Sequence, residues 1–154
     1  MALSLKYFIL VPVSISLAVL VTGCDDQVTQ CQKLIQVVNV GNSLIDDKKG
    51  QQVVTSVQLA KDLEAIHKSL QELHLSDPKL QEFQKDYGKI FQNLSQSIAK
   101  ASEALSAAKN AEPSAAGRAK LQKARNQIDT ALTSAASIGQ ESDVLASKLG
   151  KYCR

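Results

Sequence analysis

Apolar residues along this chain fall into one dense run near the start and four periodic stripes after it. The run spans Tyr7 to about Leu20, follows a single cation at Lys6, and contains Pro12. At roughly 14 residues it is shorter than the ~20 a spanning helix needs, and small residues follow it. That is the pattern of a secretory signal rather than of a permanent membrane helix.

The stripes recur every three or four positions, the period of an α-helix with one buried face. Val28, Cys31, Leu34, Ile35 and Val38 predict a first helix over about 26–44, with Asp25 or Asp26 as its cap and a turn at Asp46-Asp47-Lys48-Lys49-Gly50. Gly41-Asn42 makes the far end of that helix hard to place. Val53, Val57, Ala60, Leu63, Ile66, Leu70 and Leu73 predict a second helix over about 51–73. Asp77-Pro78 then reads as an N-cap followed by proline at the first helical position. The third helix, about 78–110, carries Leu80, Phe83, Tyr87, Ile90, Leu94, Ile98, Ala101, Leu105 and Ala108. The fourth, about 114–149, carries Leu121, Ala124, Ile128, Ala131, Ala135, Ile138, Leu145 and Leu149. The last two look longer than the first two, so their ends should project. Between Ala99 and Ala136 the stripes turn to Ala and Ser, which predicts close approach of helices three and four.

Composition agrees with this all-α reading. Ala, Leu, Lys, Gln and Glu are good helix formers, and beyond the apolar run the aromatics are Phe83, Tyr87, Phe91 and Tyr152. The default for the Phe83–Phe91 group is core. Tyr152 has two readings, packing over a neighbouring disulfide or lying at a membrane surface, and packing is the expected one. Lys and Arg number 18 against 15 Asp and Glu, and loss of Lys6 with a leader narrows the difference. So even a balance gives no reason to expect a nucleic-acid partner.

The apolar run ends Leu20-Val21-Thr22-Gly23-Cys24. This resembles the lipobox of bacterial lipoproteins: an aliphatic residue, a small one, Gly and then Cys. The resemblance covers only the leader. It implies that residues 1–23 are a signal peptide removed on maturation, that the thiol of Cys24 carries a diacylglyceryl group, and that 24–154 is one lipid-anchored domain. Two or three acyl chains hold a protein firmly where one holds it marginally. Asp25, next to the lipidated cysteine, resembles an inner-membrane retention signal and leans the location toward the extracytoplasmic (periplasmic) face of the inner cell membrane.

If Cys24 is lipidated, Cys31 and Cys153 remain, in a compartment that permits disulfides. A bridge between them requires both chain ends at one end of the domain. An even number of helices in an up-down bundle achieves that and an odd number does not. The expected fold is therefore an antiparallel four-helix bundle with Cys31 joined to Cys153.

Chemistry is sparse. Glu64-Ala65-Ile66-His67 matches one Glu-x-x-His element of di-iron bundles. A second copy is missing, so His67 and His74 read as exposed surface histidines, and no metal site is expected. Cys-x-x-Cys, Gly-rich phosphate loops and Gly-x-Ser-x-Gly are absent. No catalytic residue and no cofactor are expected. Two functions compete: a non-catalytic structural, accessory or interaction module with an envelope or membrane protein as partner, and a small-ligand or lipid-binding bundle.

Overall fold

Asp77 and Ser114 begin the two longest helices. The Asp77 Oδ1 accepts from the backbone N–H of Lys79 and Leu80 at 2.8 and 2.9 Å, with Pro78 at the first helical position. The Ser114 hydroxyl accepts from Gly117 N–H at 3.0 Å. Each cap satisfies backbone donors that a helix start leaves unpaired. The computed structural model describes residues 26–48 and 53–154. Among these the chain is all-helical: α1 Gln27–Lys48, α2 Val53–Glu72, α3 Pro78–Lys109 and α4 Ala115–Tyr152. The expected signal peptide, Cys24 and Asp25 lie outside the described residues. None of the described helices is long and apolar enough to cross a membrane.

α3 is the central element. It packs extensively against α2 and α4, while α1 lies mainly on α2 and touches α3 less. Among the described residues, the helices α1 and α4 do not come within 8 Å of one another between Cα atoms. Particular contacts fix the pairing. Ser95 Oγ donates to Ala60 O at 2.7 Å, the His67 ring lies 2.9 Å from Gly88 O, and Gln84 Nε2 donates to Leu73 O at 2.9 Å. Between α3 and α4, Ser97 meets Ser134 at 3.3 Å and the Phe83 and Tyr152 rings lie 6.0 Å apart.

The core is unevenly filled. Cys31, Leu34, Leu63, Leu70, Leu80, Phe83, Tyr87, Phe91, Leu145 and Leu149 are buried toward one end. Toward the other, α3 and α4 bury Ser97, Ser102, Ala104, Gly117, Ala124 and Ala131. The predicted aromatic group is core: Phe83, Tyr87, Ile90 and Phe91 are all buried. The Tyr87 hydroxyl has no hydrogen-bond partner among the described residues, and burial pushes its pKa up to about 12.

Three expectations need correction. α1 continues through Gly41 to Lys48 instead of stopping near Leu44. Gly41 is there for close approach, since a Cβ on it would lie 2.5 Å from two carbons of the Phe91 ring. Val28 and Val57, placed on buried stripes, are 61% and 43% exposed. In α4 only every seventh residue is fully buried over the first three quarters: Gly117, Ala124, Ala131 and Ile138. Leu121 is 45% exposed, because α4 there meets a single neighbour, α3, and a single contact row suffices.

Candidate functional site

The first turn of α1, the α2–α3 loop and the last turn of α4 converge at one end of the molecule. Cys31 and Cys153 are joined there, with their Cα atoms 5.8 Å apart and a separation of 122 positions in sequence. Cys31 is 3% exposed and lies in the core cluster. Sequence reasoning brings this pair together correctly.

Gln30, one position earlier, does more than the sequence suggests. It is buried, and its Oε1 accepts from the backbone N–H of Ser76 at 2.7 Å and of Asp77 at 3.0 Å. Its Nε2 donates to the Ser76 hydroxyl at 2.9 Å. One side chain of α1 thereby holds the loop that enters α3. Two glutamines of α3 hold the same loop from the other side. Gln84 Nε2 donates to Leu70 O and Leu73 O, and Gln81 Nε2 donates to Leu75 O at 2.6 Å. The one signal for Gln30 was its spacing, four and eight residues before the buried Leu34 and Val38.

Asp77 completes the junction. Its second oxygen, Oδ2, accepts from the Tyr152 hydroxyl at 2.9 Å, so one carboxylate caps α3 and fastens the end of α4. The Leu80 N–H leads in holding the Asp77 carboxyl below its usual range, with the Tyr152 hydroxyl and Lys79 N–H adding to it. The same bond to Asp77 raises the Tyr152 phenol above its usual range, assisted by burial and by the carboxylate charge. Tyr152 therefore packs, as expected, on Phe83 and beside the bridge. At the start of α1, Thr29 N–H donates to Asp26 Oδ1 at 2.7 Å, and hydrogen bonding to Thr29 lowers the Asp26 pKa.

His67 departs from expectation. It is half-buried, and its Nδ1–H donates to Gly88 O, so it links α2 to α3. His74 is exposed. Among the described residues no three His, Cys, Asp or Glu side chains gather where a metal could be held.

Two grooves run along the helices. One, about 500 Å³, opens where α1 and α4 stand apart; Ile45, Ile90, Phe91, Leu94, Ala135 and Ile138 form its apolar lining. Gly139 faces open space there. The other, about 660 Å³, lies between α3 and α4 on the opposite side. It is lined by Ser97, Gln122, Asn126, Thr130 and the lysines Lys100 and Lys123. The α4 segment from Pro113 to Ile128 holds Arg118, Lys120, Lys123 and Arg125 and no carboxylate. Arg118, in the first turn of α4, opposes the helix macrodipole, while Lys120, Lys123 and Arg125 lie beyond its reach. No protein-family model, curated protein or solved structure matches the chain.

Proposed function

We propose that this chain is a lipid-anchored, non-catalytic interaction module on the extracytoplasmic face of a cell membrane. The signal peptide 1–23 is removed, Cys24 carries the acyl chains, and Asp25 favours the inner membrane. Its partner is an envelope or membrane protein. The observation that carries this reading is the junction at the start of α1. Gln30, Cys31, Asp77, Tyr152 and Cys153 tie the first turn of α1 to the α2–α3 loop, the start of α3 and the end of α4, and in sequence Gln30 and Cys31 follow Cys24 by six and seven positions. A domain anchored through Cys24 is thus stiffest where it meets its anchor, and only a short stretch separates anchor from helix.

We further infer an up-down antiparallel bundle. Contacts of α2 with α3 pair descending with ascending residues, Ala60 with Ser95, His67 with Gly88 and Leu70 with Gln84. Those of α3 with α4 do the same, Phe83 with Tyr152 and Ser97 with Ser134. This arrangement sets the α3–α4 turn at the end far from the first turn of α1. The 38 residues of α4 span about 57 Å at 1.5 Å per residue.

A second reading, a small-ligand or lipid binder, is favoured by the apolar groove between α1 and α4. Native mass spectrometry of detergent-extracted protein separates the two: a retained ligand supports the binder. For the anchor, the expected outcome is that Cys24→Ser leaves the mass unacylated, blocks removal of residues 1–23 and frees any processed form from membranes. Wild-type membrane partitioning of Cys24→Ser at the mature mass would overturn it.

A further inference from the structure

The apolar groove between α1 and α4 does not stop where α1 stops. On α3 its lining includes Phe91 and Leu94. Seven residues on, in the same rows of the helix, stand Ile98 and Ala101, and seven further Leu105 and Ala108. On α4 the lining includes Ser142 and Ala135; the same row, taken backward in sevens, continues to Ile128 and Leu121. α1 ends at Lys48, beside the lower part of this groove, where Ile45 lines it with Leu94 and Ile138. Above it Leu105 is 43% and Leu121 45% exposed, and no described element covers them. On the α4 side the floor next to Leu121 is Ala124, which is buried and small enough to admit a closely packed third helix.

From these observations we infer that the upper groove, over Ala101, Leu105, Leu121 and Ile128, is a docking site for one amphipathic helix of another protein, acidic along its flanks. Continuity supplies the shape. The groove prolongs the gap between α1 and α4 past the end of α1, a helix that packs mainly on α2 and in part on α3, and helix-in-groove recognition reuses that kind of seat. From Leu121 to Ala135 it runs for about 21 Å, the length of a helix of about 14 residues. Charge supplies the specificity. Arg118 and Arg125 occupy the α4 row that also holds Gly139 of the groove lining, and so border its upper part. A second copy of this chain would bring the same cations face to face, so the complementary occupant is an acidic chain. The inference rests on the interaction-module reading and names the surface and partner chemistry of that module.

The test places a photo-reactive benzoylphenylalanine at Leu105, at Leu121, at Asn126 in the opposite polar groove, and at Val144, in the full chain within intact cells. Mass spectrometry then sequences the attached peptide. The expected result is protein adducts from Leu105 and Leu121 but not Asn126, joined to a segment with apolar residues at helical spacing and flanking Asp or Glu. Arg118→Glu with Arg125→Glu should lower their yield about tenfold, with circular dichroism and the Cys31–Cys153 bridge unchanged. Adducts to a second copy, to lipid, or to a segment without acidic flanks would overturn the inference. So would protein adducts from Val144 or Asn126 alone, which leave the interaction-module reading standing. An absence of adducts at all four positions would overturn both.

Discussion

The junction at the start of α1 and the far α3–α4 hairpin are built on opposite plans. At the junction, a disulfide, three glutamines and one aspartate–tyrosine pair fasten helix ends that are also buried in a large-residue core. In the hairpin, α3 and α4 meet through Ala, Ser and Gly and leave leucines facing outward. Burial of a Leu stabilises by roughly 1.5–3 kcal/mol, whereas Ala and Ser positions contribute far less. The comparison teaches that fold stability is concentrated at one end. The other end can therefore expose apolar surface that a monomer does not need, which is how a docking face differs from a core.

Removing the bridge should have the largest effect. A cross-link closing 122 positions restricts the unfolded chain by about 4–5 kcal/mol in the chain-entropy model. Cys31→Ser with Cys153→Ser should therefore lose about 4 kcal/mol in urea unfolding. Hydrogen exchange should quicken over the last turn of α4 and stay unchanged in 100–125. A loss under 1 kcal/mol would mean that the side-chain bonds alone fasten this end.

Gln30→Ala comes next. It leaves the Ser76 and Asp77 N–H groups without their acceptor and opens a small void in the buried first turn of α1. The expected loss is about 2 kcal/mol. Gln30→Glu keeps the acceptor and should recover about half of it. Equal losses in both variants would show that packing, rather than the two N–H bonds, accounts for the effect.

Much of this arrangement was legible in the sequence, and what was not has a physical reason. The periods of three and four residues, Asp77-Pro78 and Glu112-Pro113-Ser114 mark where helices run and stop, because local geometry decides those. Setting Cys24 apart by its resemblance left Cys31 and Cys153 as a pair, and the pair asked for an even number of helices. Gln30 and Gly41 were opaque because each answers a neighbour distant in sequence: Ser76 and Asp77 for one, the Phe91 ring for the other. Leu105 and Leu121 were misread as core for a related reason. Periodicity shows that a helix has an apolar face, but not whether its own chain covers that face.

A third contrast is in pH. Asp77 and Tyr152 form a titratable link at the junction. The Asp77 pKa is lowered by folding, so its contribution is present above the unfolded carboxyl value of about 3.9 and is lost as pH falls through the lower folded value. The Tyr152 pKa is raised, so its contribution is present below about 10 and is lost as pH rises through the higher folded value. Tyr87, raised by burial to about 12, weakens the fold over the same alkaline range. The difference between wild type and Tyr152→Phe isolates the junction. Urea midpoints of the two should diverge most near neutrality and draw together as pH falls below the carboxylate range or rises above the phenol range. A constant gap across that range would show that the hydroxyl bond to Asp77 contributes nothing that titrates.

The smallest effect belongs to the hairpin. Leu105→Gln with Leu121→Gln replaces two exposed side chains by polar ones of similar length and good helix propensity. The pair should change stability by no more than about 0.5 kcal/mol. Leu80→Ala, at a fully buried position near the junction, should cost about 3 kcal/mol. A loss near 2 kcal/mol from the hairpin pair would mean that a single chain already covers those leucines, and the two ends would then differ only in side-chain size. A near-zero loss would leave the leucines without a folding role. The cross-linking outcome at Leu105 and Leu121 then decides whether an acidic helix covers them.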